Sequence, residues 1–221
     1  MDKKELKELT VSIFEKLRRQ IKEGNTEKAL ELVNEIDSTK HDFDESYRQW
    51  IDLMLTYIGD NMGEEALYEI HRENGERALW PRLGWIFDPI SIEEKVRKRS
   101  RTWTHFHMTN LEAIEEDDEK FIFKIKCDSG GSIRMWPQYG KTKEPHPWSH
   151  GEKDFSYYCA HCPIVLEMMA IERKGYPAWV SEPQPNGKCI QYLYKDPAKV
   201  PEKYYKRLGL EKKKATRGQK S

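Results

Sequence analysis

The hydrophobic positions in the first ninety residues recur at helical spacing. Leu6, Leu9, Val11, Ile13, Phe14, Leu17 and Ile21 form one stripe, and Gly24 follows as a stop. Thr26 caps a second predicted helix carrying Leu30, Leu32, Val33 and Ile36, with Glu27 and Glu31 near its start. A third is expected over about 45–58, with Trp50, Leu53, Met54 and Tyr57 on one face, and a fourth over about 63–73. The aromatic, proline-broken run from Leu79 to Pro89 reads as an ordered connector, and Ser91 caps a short helix behind it.

After residue 100 the period shortens. Residues 101–108 and 121–127 alternate like strands, with the acidic turn Glu115–Glu119 between them. Cys127-Asp-Ser-Gly-Gly-Ser forms a loop, 135–158 is loop-like, and Pro163–Arg173 predicts a helix. Tyr176–Ser181 and Lys188–Tyr194 read as strands joined by a turn at Asn186-Gly187. From Lys203 the chain is basic and reads as a frayed tail. Helices first and strands later predict an α+β fold, with an N-terminal helical layer on a small, mainly antiparallel sheet. The predicted organisation is a helical region over 1–90, an α+β region with the candidate site over 91–202, and a basic tail over 203–221.

Composition narrows the function. Among 221 residues, 38 Lys+Arg balance 38 Asp+Glu, which argues against a general nucleic-acid binder. No apolar run reaches the roughly 18–20 residues of a membrane span, and the charged N-terminus lacks a secretory h-region. A cytoplasmic location follows as the expectation, where the 4 cysteines serve as thiols or metal ligands. The high aromatic content allows a homo-oligomer.

The main chemical signal is Cys159-Ala-His-Cys162-Pro. Two cysteines three apart at a helix start can face one metal, and the helix N-terminus favours thiolate. Cys127 and Cys189 add two single cysteines. Four thiolates would make a closed zinc or iron–sulfur site, whereas three donors and water would make an open one. The same tetrapeptide also suits thiol-redox chemistry or a cysteine nucleophile. His150 and His161 are candidate proton carriers. His105 and His107, two apart on a predicted strand, would share a face as acid–base or second ligating groups. Trp136, Tyr139 and Trp148 are candidates for stacking on a ligand. The Gly-Gly loop lacks the Gly-Lys-Ser/Thr ending of a phosphate loop, so no nucleotide cofactor is expected.

From Tyr158 onward the chain resembles the L-2-amino-thiazoline-4-carboxylic acid hydrolase-like family. The similarity runs through Cys159 and Cys162, a helix, Gly175-Tyr-Pro-Ala-Trp-Val, and Gly187-Lys-Cys189 entering a strand. Upstream, a helix with arginines leading to a strand that ends in Cys127 is also similar. The resemblance implies hydrolysis of a small ring or amide-like substrate with cysteines near the site. The expected function is therefore a metal-dependent enzyme, hydrolase or lyase, using zinc or iron on a small organic molecule. The alternatives are a ligand-binding or sensor module with a structural four-cysteine metal, and a metal-free thiol enzyme.

Overall fold

The computed structural model describes residues 7–107 and 111–212. The fold is α+β: helices dominate the first half and a four-stranded antiparallel sheet lies in the second. Two compact units divide the chain between Trp50 and Ile51.

In the first unit, α1 (Ile13–Lys22) starts at Ser12, whose Oγ accepts the Glu15 N–H, and gives way to Gly24 at φ +75°. Next comes α2 (Thr26–Asn61), one continuous helix where two were expected. The segment Asp37-Ser-Thr-Lys-His contains no Gly or Pro, so nothing breaks the hydrogen-bond ladder there. Within this unit Phe43 stacks on Tyr47, which meets Trp50 edge-on.

The second unit holds the rest of α2, α3 (Glu64–Asn74), α4 (Trp80–Leu83) and α5 (Ile92–Arg101). The 79–89 connector is ordered, as expected, and Ser91 caps α5 by accepting the Glu94 N–H. The predicted strand over 101–108 is not formed. Residues 102–106 continue α5 as a π-helical turn, and Met108 lies outside the described residues. The physical reason is the stripe Ile92, Val96, Arg99, Trp103, which keeps helical spacing across that segment, and Trp103 is buried.

The strands are β1 (Leu111–Glu116), β2 (Lys120–Lys126), β3 (Val180–Pro183) and β4 (Lys188–Tyr194), in spatial order β1-β2-β4-β3. β2 pairs with β4 so that Ile125 opposes Cys189 and Phe123 opposes Gln191. Both residues between β3 and β4 that were read as the turn, Asn186 and Gly187, have positive φ. The predicted strand 176–181 starts later, at Val180. Alternation buries Phe123 and Ile125 of β2 with Cys189, Gln191 and Leu193 of β4 on one face. Trp103 covers part of that face.

Between β2 and β3 lie α6 (Gly130–Ile133) and a helical stretch that opens as π turns at Cys162–Met168 and ends as α7 (Met169–Lys174). Ile164, Val165, Met169 and Ala170 from this stretch are almost fully buried, in the larger core cluster with Leu67, Tyr157 and Leu208. The predicted tail is partly built in. α8 (Lys203–Lys206) buries Tyr204 and Tyr205, because those two tyrosines interrupt the lysines at core-facing positions. Residues 213–221 lie outside the described residues. Among the described residues, no helix is long and apolar enough to cross a membrane.

Candidate functional site

The four cysteines come from three places in the chain. Cys127 follows β2, and its N–H donates to the Gly187 carbonyl at 3.1 Å. Cys189 enters β4 beside Ile125. Cys159 precedes the buried helical stretch, and Cys162 opens it. Cys189 lies within electrostatic reach of the other three, and Cys159 within reach of Cys127 and Cys162. Cys159 and Cys189 are buried, whereas Cys127 and Cys162 keep some exposure. Burial pushes the Cys159 thiol up to about 12 and the Cys162 thiol up to about 11, and raises Cys189 well above its ordinary value. Among the described residues, no three His, Cys, Asp or Glu side chains converge closely enough to hold a metal ion.

The Gly-Gly loop is a packing device. A Cβ on Gly130 would stand 2.6 Å from Cys159 Sγ, and one on Gly131 would stand 2.1 Å from the Gly187 carbonyl oxygen. The absence of both Cβ atoms lets this backbone press between a cysteine and the β3–β4 turn. One turn onward, Arg134 Nη1 donates to Cys159 Sγ at 3.1 Å, and its Nη2 donates to the carbonyls of Gln184 and Lys188.

The best-defined chemical pair is His161 with Cys162. His161 Nδ1 lies 2.6 Å from the Tyr158 carbonyl, which can only accept, so the neutral ring carries its proton there. That leaves the Nε2 lone pair facing Cys162 Sγ at 3.3 Å. Burial lowers the His161 pKa, which keeps the imidazole neutral. A thiol, a base with a fixed tautomer and a group that fixes it are thus in place.

Arg99 was missed by the sequence reading. It is 5% exposed, no carboxylate forms an ion pair with it among the described residues, and the thiols of Cys162, Cys189 and Cys127 are its electrostatic neighbours. Burial lowers its pKa to about 10, so it stays charged at neutral pH. The guanidinium lies over Trp179 at 3.8 Å and Trp103 at 4.9 Å, and donates to the Gln191 side-chain oxygen. Gln191 in turn donates to Ser181 Oγ at 3.3 Å. The available signal was the place of Arg99 on the Ile92/Val96/Trp103 stripe, and of Gln191 between Cys189 and Leu193 on the inward strand period. His71, also missed, is buried against the Tyr157 carbonyl at 2.8 Å, with His161 as its charged neighbour when either ring protonates.

The other candidates scatter. His105 and His107 do not share a strand face, because they lie on and just after a helical turn. His105 is exposed and bonds Thr104, whereas His107 stacks on Trp103 and its Nδ1 stands 3.4 Å from Asp128, the residue after Cys127. His150 meets Phe155 edge-on, and its electrostatic neighbour is Arg207, with burial taking its pKa down to about 3. Trp148 is 4% exposed and stacked on His146, packed into the larger core cluster. Trp136 and Tyr139 are half-buried in the loop after α6. Glu167 is fully buried against Arg207 and the Ser181 N–H, which gives it a structural role. Comparison with family models, curated proteins and solved structures found no match to the chain.

Proposed function

We propose that this protein is a small-molecule hydrolase whose nucleophile is Cys162 and whose general base is His161. The observation that carries this is the ordered contact Tyr158 carbonyl–His161–Cys162. In the proposed reaction His161 Nε2 takes the thiol proton as Cys162 Sγ bonds to the carbonyl carbon of a cyclic amide. The C–N bond then breaks, the proton passes to the leaving nitrogen, and a thioester remains. Water, deprotonated by His161, adds to the thioester, and the acid leaves as Cys162 regains its proton. The raised thiol pKa means that the thiol rests protonated and ionises only as it attacks. Arg99 lies within reach of the developing thiolate, and the start of the helical stretch adds favourable polarity. The resemblance to the L-2-amino-thiazoline-4-carboxylic acid hydrolase-like family points toward the same class of small ring substrate. A cytoplasmic setting, where thiols stay reduced, suits this chemistry.

A zinc or iron centre on Cys127, Cys159, Cys162 and Cys189 is the second reading. What favours it is charge: Arg99 and Arg134 would offset the net negative charge of a divalent ion on four thiolates. Because no three donors converge among the described residues, the thiols would have to close around the ion. The test is a panel of small cyclic amides followed by mass spectrometry, alongside metal content per chain. Ring opening with gain of one water, abolished in Cys162→Ser and in His161→Asn without bound metal, supports the nucleophile. Full hydrolysis by Cys162→Ser refutes it. About one metal per chain with thiols protected until chelation supports the second reading. A mass in solution of twice that of one chain would show the second copy as a partner.

A further inference from the structure

Among the described residues of the first unit, 7–50, none is buried, although both of its helices are amphipathic. A unit of about 40 residues usually needs a disulfide, a metal or a partner to fold. This one contains no cysteine.

Three residues join α1 to α2, and Gly24 among them is left-handed, as in an antiparallel helical hairpin. Ile13, Leu17 and Gln20 of α1 and Ala29, Leu32 and Ile36 of α2 are half-buried and mark the hairpin seam. The residue after each of these is exposed: Phe14, Arg18 and Ile21 on α1, Leu30, Val33 and Asp37 on α2. One residue turns a helix by about 100°. In antiparallel helices the same step leads to the same side, so the two exposed stripes share one face of the hairpin. Phe14, Ile21, Leu30 and Val33 are 54%, 63%, 58% and 46% exposed. Farther along α2 the seam spacing continues through Phe43, Tyr47 and Trp50, at 65%, 49% and 59%. With about 150–250 Å² per aromatic side chain and less per aliphatic one, these residues leave roughly 700–900 Å² open. A standard interface takes about 800 Å² from each partner.

Charge selects the partner. α1 carries four cations and one acid, whereas 26–45 of α2 carries seven acids and two cations. On the shared face, Arg18 and the adjacent Lys22 stand on the α1 side. Asp37 stands on the α2 side with Asp44, seven residues on, which pairs with Lys40. A face that is basic on one half and acidic on the other complements itself across a two-fold axis parallel to the helices. An anionic membrane would meet the acids of α2 and be repelled.

We propose that this face of the α1–α2 hairpin binds a second copy of the chain, giving a bundle of four helices in which α1 of each copy lies on α2 of its partner. The proposal does not rest on the thiol chemistry.

Sedimentation velocity of the full chain over a concentration series tests it. A reversible step from one chain to two is expected, weakening as salt rises from about 0.05 to about 0.5 M. Ile21→Glu/Val33→Glu should raise the dissociation constant about tenfold or more, with an unchanged circular dichroism spectrum because both positions are exposed. Arg18→Glu/Lys22→Glu and Asp37→Lys/Asp44→Lys should each weaken self-association by a similar factor. An equimolar mixture of those two variants should restore the dimer, because each helix then meets the opposite charge. If Ile21→Glu/Val33→Glu loses helicity, the two charge variants and their mixture decide the matter. A wild-type chain that stays single at about 0.5 mM overturns the proposal, as does a dissociation constant that a folded Ile21→Glu/Val33→Glu leaves unchanged. A mixture that stays single overturns the pairing of α1 on α2. Binding to anionic vesicles by a chain that stays single assigns the face to lipid and overturns the second copy.

Discussion

Adding one methyl group at residue 131 tests whether the Gly-Gly loop closes the site. An alanine Cβ there would stand 2.1 Å from the Gly187 carbonyl oxygen and 2.7 Å from Cys127 Cβ. Carbon atoms rest about 3.5–4.0 Å from their neighbours, so loop and turn must part by more than about 1 Å. Overpacking of this kind commonly costs about 1–3 kcal/mol. Here the clash is with backbone on one side and with a cysteine Cβ on the other, so no flexible side-chain end can yield. The upper half of that range is expected. Replacing glycine also restricts the unfolded chain, which returns about 0.4–1 kcal/mol. The net loss for Gly131→Ala is therefore about 2 kcal/mol, equivalent to a melting temperature lower by roughly 4–8 °C. Gly84→Ala is the matched control: its φ is −55°, and a Cβ there meets nothing within 4 Å. That variant should melt at or above the wild-type temperature. Thermal unfolding followed by circular dichroism compares the two. If Gly131→Ala melts with the wild type, the loop does not press on the turn and the thiols are not brought together as described.

Three further outcomes follow from buried charge. The His71 pKa is held down to about 4 by burial, against 6.5 when unfolded, so its contribution is intact above 6.5 and is lost as pH falls toward 4. That loss is about 3 kcal/mol, and urea titrations at several pH values should show it flattened in His71→Asn. Arg207→Met leaves the Glu167 carboxylate buried without its partner and should destabilise by about 3–5 kcal/mol, while Arg207→Met/Glu167→Met together should recover much of it. A double variant no more stable than Arg207→Met would refute that pairing. Iodoacetamide labelling read by peptide mass should be slow at Cys162 near neutral pH and climb about tenfold per pH unit toward 11. A Cys162 that already reacts fully at pH 6 would contradict the resting protonated thiol.

The α+β class of the fold was legible because period and caps carry it. Ser91 caps its helix, Asn186-Gly187 turns the last hairpin, and the 188–194 alternation buries alternate residues. The failures have physical causes. At 101–108 the residues Trp103 and Phe106 suit either period, and the helix entering from Ser91 decided in favour of the helix. The cysteines and His161 were legible as candidates because their side chains are rare and reactive. A shared cysteine site was expected from residue type and spacing, but not the register that sets Cys189 beside Ile125. Arg99 looked like one cation in a basic helix end; its place on the Ile92/Val96/Trp103 stripe marks it as interior, and two tryptophans pack on it. His150 and Trp148 looked chemical because of type alone, and their loop turns them toward the core.

The long-range contacts around the thiols also set an order of events. Arg134 reaches Cys159 across 25 residues, and Arg99 reaches Gln191 across 92. Local helices close their hydrogen bonds early, whereas contacts across such separations must first overcome the entropy of closing the intervening chain. During synthesis, β2, the Gly-Gly loop and the Cys162 helix are all made before the β3–β4 turn, which supplies the carbonyl that Gly131 leans on, and before β4, which supplies Cys189 and Gln191. Until that strand inserts between β2 and β3, Cys189 is not set beside Ile125, and the thiols lack the cover that β4 provides. The arrival of β4 is the moment at which these cysteines stop being ordinary exposed thiols, so a delay at that step would leave them vulnerable to wrong disulfides.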